Sequence, residues 1–322
     1  MNEEEWIARF IEPRSNPDNP LCGPGDDAAL LQGPAGTAAV ITVDSLVSGQ
    51  HFRPEWLHAW HPPEILARRL LRGSLSDISA MGGIASGVLL SLESEELPGF
   101  FSERFWQGID EELATHSLIL LGGNLTRCSG GLSLHATVVG HVDPDRSWRR
   151  DSAQPGDRIG VTGHPGKAAQ ALDHLQRGSA VADQDPWRFP ASRQRFVTKL
   201  NPMLQRNACA IDLSDGLGLD LLRVCKSSQV CAEIDLNRLV SVEGAPTLKQ
   251  VVSGGEDYEL LLVIDPGEAE RVEQVAKETG TPFRWIGSVK PMSDQPQIHW
   301  HDAGRALADL PEEKGWDPFR QV

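Results

Sequence analysis

Aspartates at the junctions between loops and regular elements are the residues of this chain whose type and spacing promise chemistry. Asp26 and Asp27 follow a Gly23-Pro24-Gly25 turn and precede the apolar run Ala28 to Leu31, which reads as a buried strand. Asp44, Asp77, Asp212 and Asp215 stand in similar loop-to-element settings. Carboxylates gathered together repel one another unless cations sit between them, and hard oxygen donors suit Mg²⁺. The chain reads as one that folds to bring distant acids around Mg²⁺ and a polyphosphate.

Three strings extend this reading. Ile211-Asp212-Leu213-Ser214-Asp215-Gly216 offers two carboxylates and a hydroxyl to metal and phosphate, although Ser and Asp at such a place also serve as helix N-caps. Gly254-Gly255-Glu256-Asp257-Tyr258-Glu259 combines glycines that allow close backbone approach with acids for a cation or a metal. A solvated turn before a strand is its structural alternative. Gly122-Gly123-Asn124-Leu125-Thr126-Arg127 has the amide, hydroxyl and guanidinium that suit phosphate, or is an ordinary polar loop. Gly163-His164-Pro165-Gly166-Lys167 fails the spacing of a Walker site, and no Gly-x-Ser-x-Gly elbow occurs. His299 and His301 read as surface histidines and Cys209 as a core thiol.

The elements that must position these residues alternate. Strands are expected at Ala38 to Val43, Val88 to Leu92, Leu118 to Leu121 (buried, stopping at Gly122), Leu132 to Val142, Arg158 to Thr162, Ala208 to Leu213 and Glu259 to Ile264. Helices are expected at 3–12, from Pro62-Pro63 towards Asp77, and at 101–116, 167–176, 217–227 and 266–279. Residues 183–190 read as an exposed polar loop. The polar, Arg-rich stretch Pro144 to Gly156 marks a boundary between an N-terminal half, 1–146, and a C-terminal half, 147–322. The fold class is α/β, in α+β layers.

Composition narrows the function. At 322 residues, 40% hydrophobic and 23% charged, the chain buries a substantial core. A net charge of −15 argues against a nucleic-acid or anionic membrane surface. An anionic substrate then needs metal ions or a local basic patch. Five cysteines without a Cys-x-x-Cys pair read as reduced thiols in a cytoplasmic protein. The acidic N-terminus is no signal peptide, and no apolar stretch approaches spanning length.

At these strings the sequence resembles the thiamine-monophosphate kinase family, of the superfamily that holds aminoimidazole ribonucleotide synthetase and selenide water dikinase. Gly25-Asp26-Asp27-Ala28, Val43-Asp44 with His51-Phe52, Leu75-Ser76-Asp77, Ile211 to Gly216 and Ser253 to Glu259 occur in family order, over nearly the whole chain. The resemblance implies transfer of the γ-phosphoryl of ATP to thiamine monophosphate, with Mg²⁺, in a homodimer that pairs through the sheet of its N-terminal domain. It implies that Asp27, Thr42, Asp44, Asp77, Asp212 and Asp215, with Asn124, hold Mg²⁺. Gly123, Asn124, Arg150 and Ser214 would contact ATP; His51, Glu256 and Trp316 would contact thiamine monophosphate. No side chain acts as a nucleophile in this scheme, since the acceptor's own phosphate oxygen attacks. The family has an acid where this chain has Asn124, a departure that supports a second reading: a paralogue that binds nucleotide or thiamine phosphate as a sensor or partner subunit. His116 and Pro318 also depart from the family pattern.

Overall fold

Two sheets divide the chain, one built from strands between residues 29 and 142 and the other from strands between 158 and 306. The computed structural model describes residues 26–32, 36–96, 99–179, 185–240, 246–302 and 305–306. The expected helix at 3–12 and Trp316 lie outside them.

The first sheet comprises β1 (Ala29–Gln32), β2 (Ala38–Val47), β3 (Ile84–Ser94), β4 (Ile119–Arg127) and β5 (Ser133–Val142), in the order β1-β2-β5-β3-β4. Its pairs are antiparallel except β3 with β4. Along β2, Ala38, Val40, Thr42 and Leu46 are buried while Val43 is exposed, the period-two pattern of a strand with one covered face. Helix α1 (Pro63–Ala80) covers that face, and α2 (Glu103–His116) packs on α1. Proline opens α1, where its missing N–H costs nothing, and Leu66, Leu70, Leu71, Leu75 and Ile78 form its apolar stripe.

The second sheet runs β12-β11-β8-β10-β6-β9-β7. These strands are β6 (Arg158–Thr162), β7 (Cys209–Asp212), β8 (Val230–Asp235), β9 (Leu260–Ile264), β10 (Phe283–Pro291), β11 (Ile298–Asp302) and β12 (Arg305–Ala306). β9 is apolar throughout because both its faces are covered. Leu261 and Val263 pack with α5 (Leu217–Ser228), while Leu260, Leu262 and Ile264 pack with α4 (Gln194–Leu200) and α8 (Ala269–Thr279). Helices α3 (Lys167–Gln176), α6 (Asn237–Val240) and α7 (Leu248–Ser253) complete the second half. Buried amides join the halves. Asn201 accepts from the Trp148 indole at 2.9 Å and donates to the Gly82 carbonyl at 2.8 Å, and Gln194 donates to Ser79 at 2.8 Å.

The structure departs from the sequence reading at three places that bear on function. β4 does not stop at Gly122; it runs on to Arg127 as an edge strand exposed along its whole length. Asp44 lies inside β2 and not at its end, whereas Asp77 stands in the last turn of α1. Trp187, in the stretch expected to be exposed, is 1% exposed. Among the described residues no helix is long and apolar enough to cross a membrane.

Candidate functional site

One face of α1 organises the site. Arg69, Gly73 and Asp77 recur every four residues and therefore stack along one side of the helix. Opposite them on β2 stand Thr42 and Asp44, two apart and so on one face of the strand. The Thr42 hydroxyl donates to Asp77 at 2.6 Å. A side chain at position 73 would place its Cβ 2.7 Å from an Asp44 carboxylate oxygen, so glycine is what lets Asp44 sit against the helix.

The acids converge from three directions. Asp27 enters just before β1, Asp77 from α1, and Asp212 from the end of β7 in the other half. One carboxylate oxygen from each lies within 4.8 Å of the others. Burial, then repulsion from Asp27 and Asp44, holds the Asp77 carboxyl well above the usual range. Burial, then Asp77 and Asp27, does the same to Asp212. Burial raises Asp44, and burial with Asp27 beside it pushes Asp26 up to about 7. The cation facing this group is Arg150, whose Nη2 and Nε donate to Asp27 at 2.7 and 3.0 Å and whose backbone N–H reaches Asp26 at 3.3 Å. Three carboxylates and the Thr42 hydroxyl form an all-oxygen donor set short of positive charge, which is the chemistry of a Mg²⁺ site.

The remaining candidates fall around this centre. Asp215 lies outside the trio and accepts from Arg223 at 2.5 Å. Arg223 also holds Asp220, a buried acid that sequence reading missed. Asp220 accepts the backbone N–H groups of Asp215 and Gly216 at 3.1 Å each, fixing the turn that carries Ser214. An acid in the first turn of a helix was its available signal. Ser214 accepts at its carbonyl from the Glu256 N–H at 2.8 Å, and Leu213 from Tyr258 at 2.9 Å, so the two acidic strings lie side by side. Glu256 and Tyr258 both have left-handed backbone (φ 65° and 50°), a strain that persists only where neighbours over-determine it.

Of the three acids in the second string, Glu256 is the most exposed, with 28% of its side chain open. Asp257 accepts from Gly166 and Ala168 N–H at 2.6 and 3.0 Å, capping α3. Glu259 takes a bidentate bond from Arg193 at 2.6 and 2.5 Å and one from Thr162 at 2.6 Å. Arg69, fully buried, donates to Glu256 and to the His51 carbonyl, the latter at 3.2 Å. His51 Nδ1 accepts the Val47 N–H at 3.0 Å, and burial holds its pKa below the usual value. Neutral His51 therefore carries its proton on Nε2, as a donor.

The fold of this chain does not bring Gly123 and Asn124 to the acids. Register runs from Asp44 to Ala136, from Ala136 to Leu90, and from Leu90 to Gly123. Three strand spacings separate β2 from β4, roughly 14 Å. Asn124 is exposed and bonds to Thr126 at 2.9 Å. Gly123 has a packing reason of its own: a Cβ there would lie 1.9 Å from the Leu90 carbonyl oxygen.

Comparison with known proteins places the chain among relatives. Residues 25–142 match the family described as AIR synthase related protein, N-terminal domain. Thiamine-monophosphate kinase of Escherichia coli (strain K12) is 35% identical over 301 residues, covering 89% of this chain and 90% of its own. The chain belongs to the thiamine-monophosphate kinase family. The crystal structure of a thiamine-monophosphate kinase from Stenotrophomonas maltophilia superposes with a TM-score of 0.72 at 29% identity, covering 94% of this chain and 96% of that one. AaThiL complexed with AMPPCP and TMP shares the fold, with a TM-score of 0.77 at 23% identity over 99% and 97% of the two chains. The strings Gly25 to Ala28, Leu75 to Asp77 and Ile211 to Gly216 of this chain supply the three converging carboxylates.

Proposed function

We propose that this chain transfers the γ-phosphoryl of ATP directly to the phosphate of thiamine monophosphate, yielding thiamine diphosphate and ADP. The observation that carries the reading is the meeting of Asp27, Asp77 and Asp212 beside Arg150, in a chain one-third identical to thiamine-monophosphate kinases. AaThiL, of the same fold, holds AMPPCP together with TMP. Transfer between two phosphates asks for alignment and charge neutralisation, not for a protein nucleophile.

Asp27, Thr42, Asp44, Asp77 and Asp212 fit Mg²⁺ by donor type, with Asp215 at the rim of the same loop. Bound there, Mg²⁺ supplies positive charge to the crowded phosphate oxygens. Arg150, now paired with Asp27, and Ser214 would contact the nucleotide phosphates. His51 donates from Nε2 and Glu256 accepts, so together they orient the acceptor, which Trp316 would cover by stacking. Gly123 and Asn124 reach such a site from β4 of a partner. The exposed edge strand, with Ile119, Leu121 and Leu125 at 65%, 54% and 52% exposure, supports a homodimer built on this sheet. The same division of strands supports domains at 1–146 and 147–322.

Asn124 favours the second reading, a binding subunit of low turnover. One assay separates the two. Incubated with ATP, Mg²⁺ and thiamine monophosphate, the kinase forms thiamine diphosphate and ADP one for one. Saturable binding of both ligands with no thiamine diphosphate would establish the sensor instead.

A further inference from the structure

We infer that Trp187 and Arg69 position Glu256, so that its carboxylate meets the acceptor substrate as an oriented hydrogen-bond acceptor and not as a bare anion. This rests on the reading of Glu256 as an acceptor contact. The Trp187 indole N–H donates to Glu256 Oε2 at 2.7 Å, and the Arg69 guanidinium donates to Oε1. Each carboxylate oxygen thus has one buried donor. Both donors are 1% exposed, whereas the Glu256 side chain is 28% exposed, so its remaining lone pairs face outward. Arg69 neutralises the carboxylate, and a substrate N–H group meets a fixed acceptor instead of a free charge.

The three participants come from separate stretches: α1, the 185–190 loop, and the 254–259 string. Trp187 is itself held in a wall of rings. Its centroid lies 5.4 Å from Trp56, 6.3 Å from Trp60 and 4.4 Å from His61, and Arg69 stands 5.2 Å over its face. His61 is wholly buried with no hydrogen-bond partner on either nitrogen among the described residues, and burial pushes its pKa down to about 2, so it behaves as an apolar ring. A dry wall of this kind strengthens the bond it shields. The same guanidinium bonds the His51 carbonyl, so one buried cation registers both acceptor-binding residues.

Steady-state kinetics of Trp187→Phe, Glu256→Gln and the double variant test this. Trp187→Phe keeps an aromatic ring and removes the N–H; a lost hydrogen bond to a charged group raises KM for thiamine monophosphate about tenfold or more. KM for ATP and kcat stay near wild type. In the Glu256→Gln background the same change adds nothing. If Glu256→Gln raises KM and Trp187→Phe does not, or if the two effects multiply, the positioning role is overturned and the acceptor role of Glu256 survives. If Glu256→Gln leaves KM unchanged, the reading of Glu256 falls and the inference with it. Should Trp187→Phe not fold, Arg69→Lys, which keeps the charge and loses the fork, replaces it in the same cycle; because Arg69 also holds the His51 carbonyl, part of its effect persists in the Glu256→Gln background, and effects that multiply in full overturn the role.

Discussion

Asp77→Asn and Asp212→Asn each lower turnover by about 10²–10³-fold, the scale of losing one fixed electrostatic contact to the transition state. In metal-free buffer each variant melts at a higher temperature than the wild type. The two effects share one cause. Among the described residues, Asp27, Asp77 and Asp212 crowd their oxygens within 4.8 Å, with Arg150 paired to Asp27. Without a cation the cluster resists ionisation, as the raised Asp77 and Asp212 carboxyls record, by burial first and mutual repulsion second. A carboxyl that holds its proton more tightly folded than unfolded stabilises the fold fully below the ordinary carboxylate range. That stability is lost as pH rises through the folded value. The metal-free wild type therefore loses stability from mildly acidic towards neutral pH, and the amide variants lose less. Melting curves across this range, with and without chelator, check it. Near-wild-type turnover in both variants would remove these acids from the reaction.

Removal of Mg²⁺ is expected to have the largest effect of all. Turnover stops in excess EDTA while the circular dichroism of the fold persists, because the cores of both halves are apolar and do not include the acids. Returning Mg²⁺ restores activity and raises Tm: at a hundredfold excess over Kd, one site adds about 2.7 kcal/mol. The gain is larger at neutral than at acidic pH, where protons already occupy the carboxyls. Full activity in EDTA would contradict the cluster as a metal site.

Much of this was legible in the chain. The apolar stripe of α1, its proline start and the restart at Arg158 followed from period and composition, and the three clustered acids came from strings visible as strings. What sequence could not show was which acids face one another. Glu256, Asp257 and Glu259 are of like type in one string, yet two are spent on α3 and Arg193, a partition set by residues about 60 to 90 positions away. Trp187 sits among polar neighbours and is buried because Trp56, Trp60 and His61 of the other half and Ala168, Ala171 and Leu175 of α3 close over it. β4 was cut short at Gly122 because paired glycines read as a turn; in the sheet, the missing side chain of Gly123 is what permits pairing with Leu90. The spacing of Arg69, Gly73 and Asp77 was readable, but its meaning depended on knowing that β2 lay opposite.

Single turnover with ATP labelled at the γ-phosphorus tests the central claim most directly. With Mg²⁺ and thiamine monophosphate, all label leaving ATP should appear in the terminal phosphate of thiamine diphosphate, at the rate ADP forms. None should be trapped on the acid-quenched protein at any time. The same mixture with Asp77→Asn should retain the label in ATP. Label that passes through the protein, or is released as inorganic phosphate without thiamine diphosphate, would contradict direct transfer at the site of Asp27, Asp77 and Asp212.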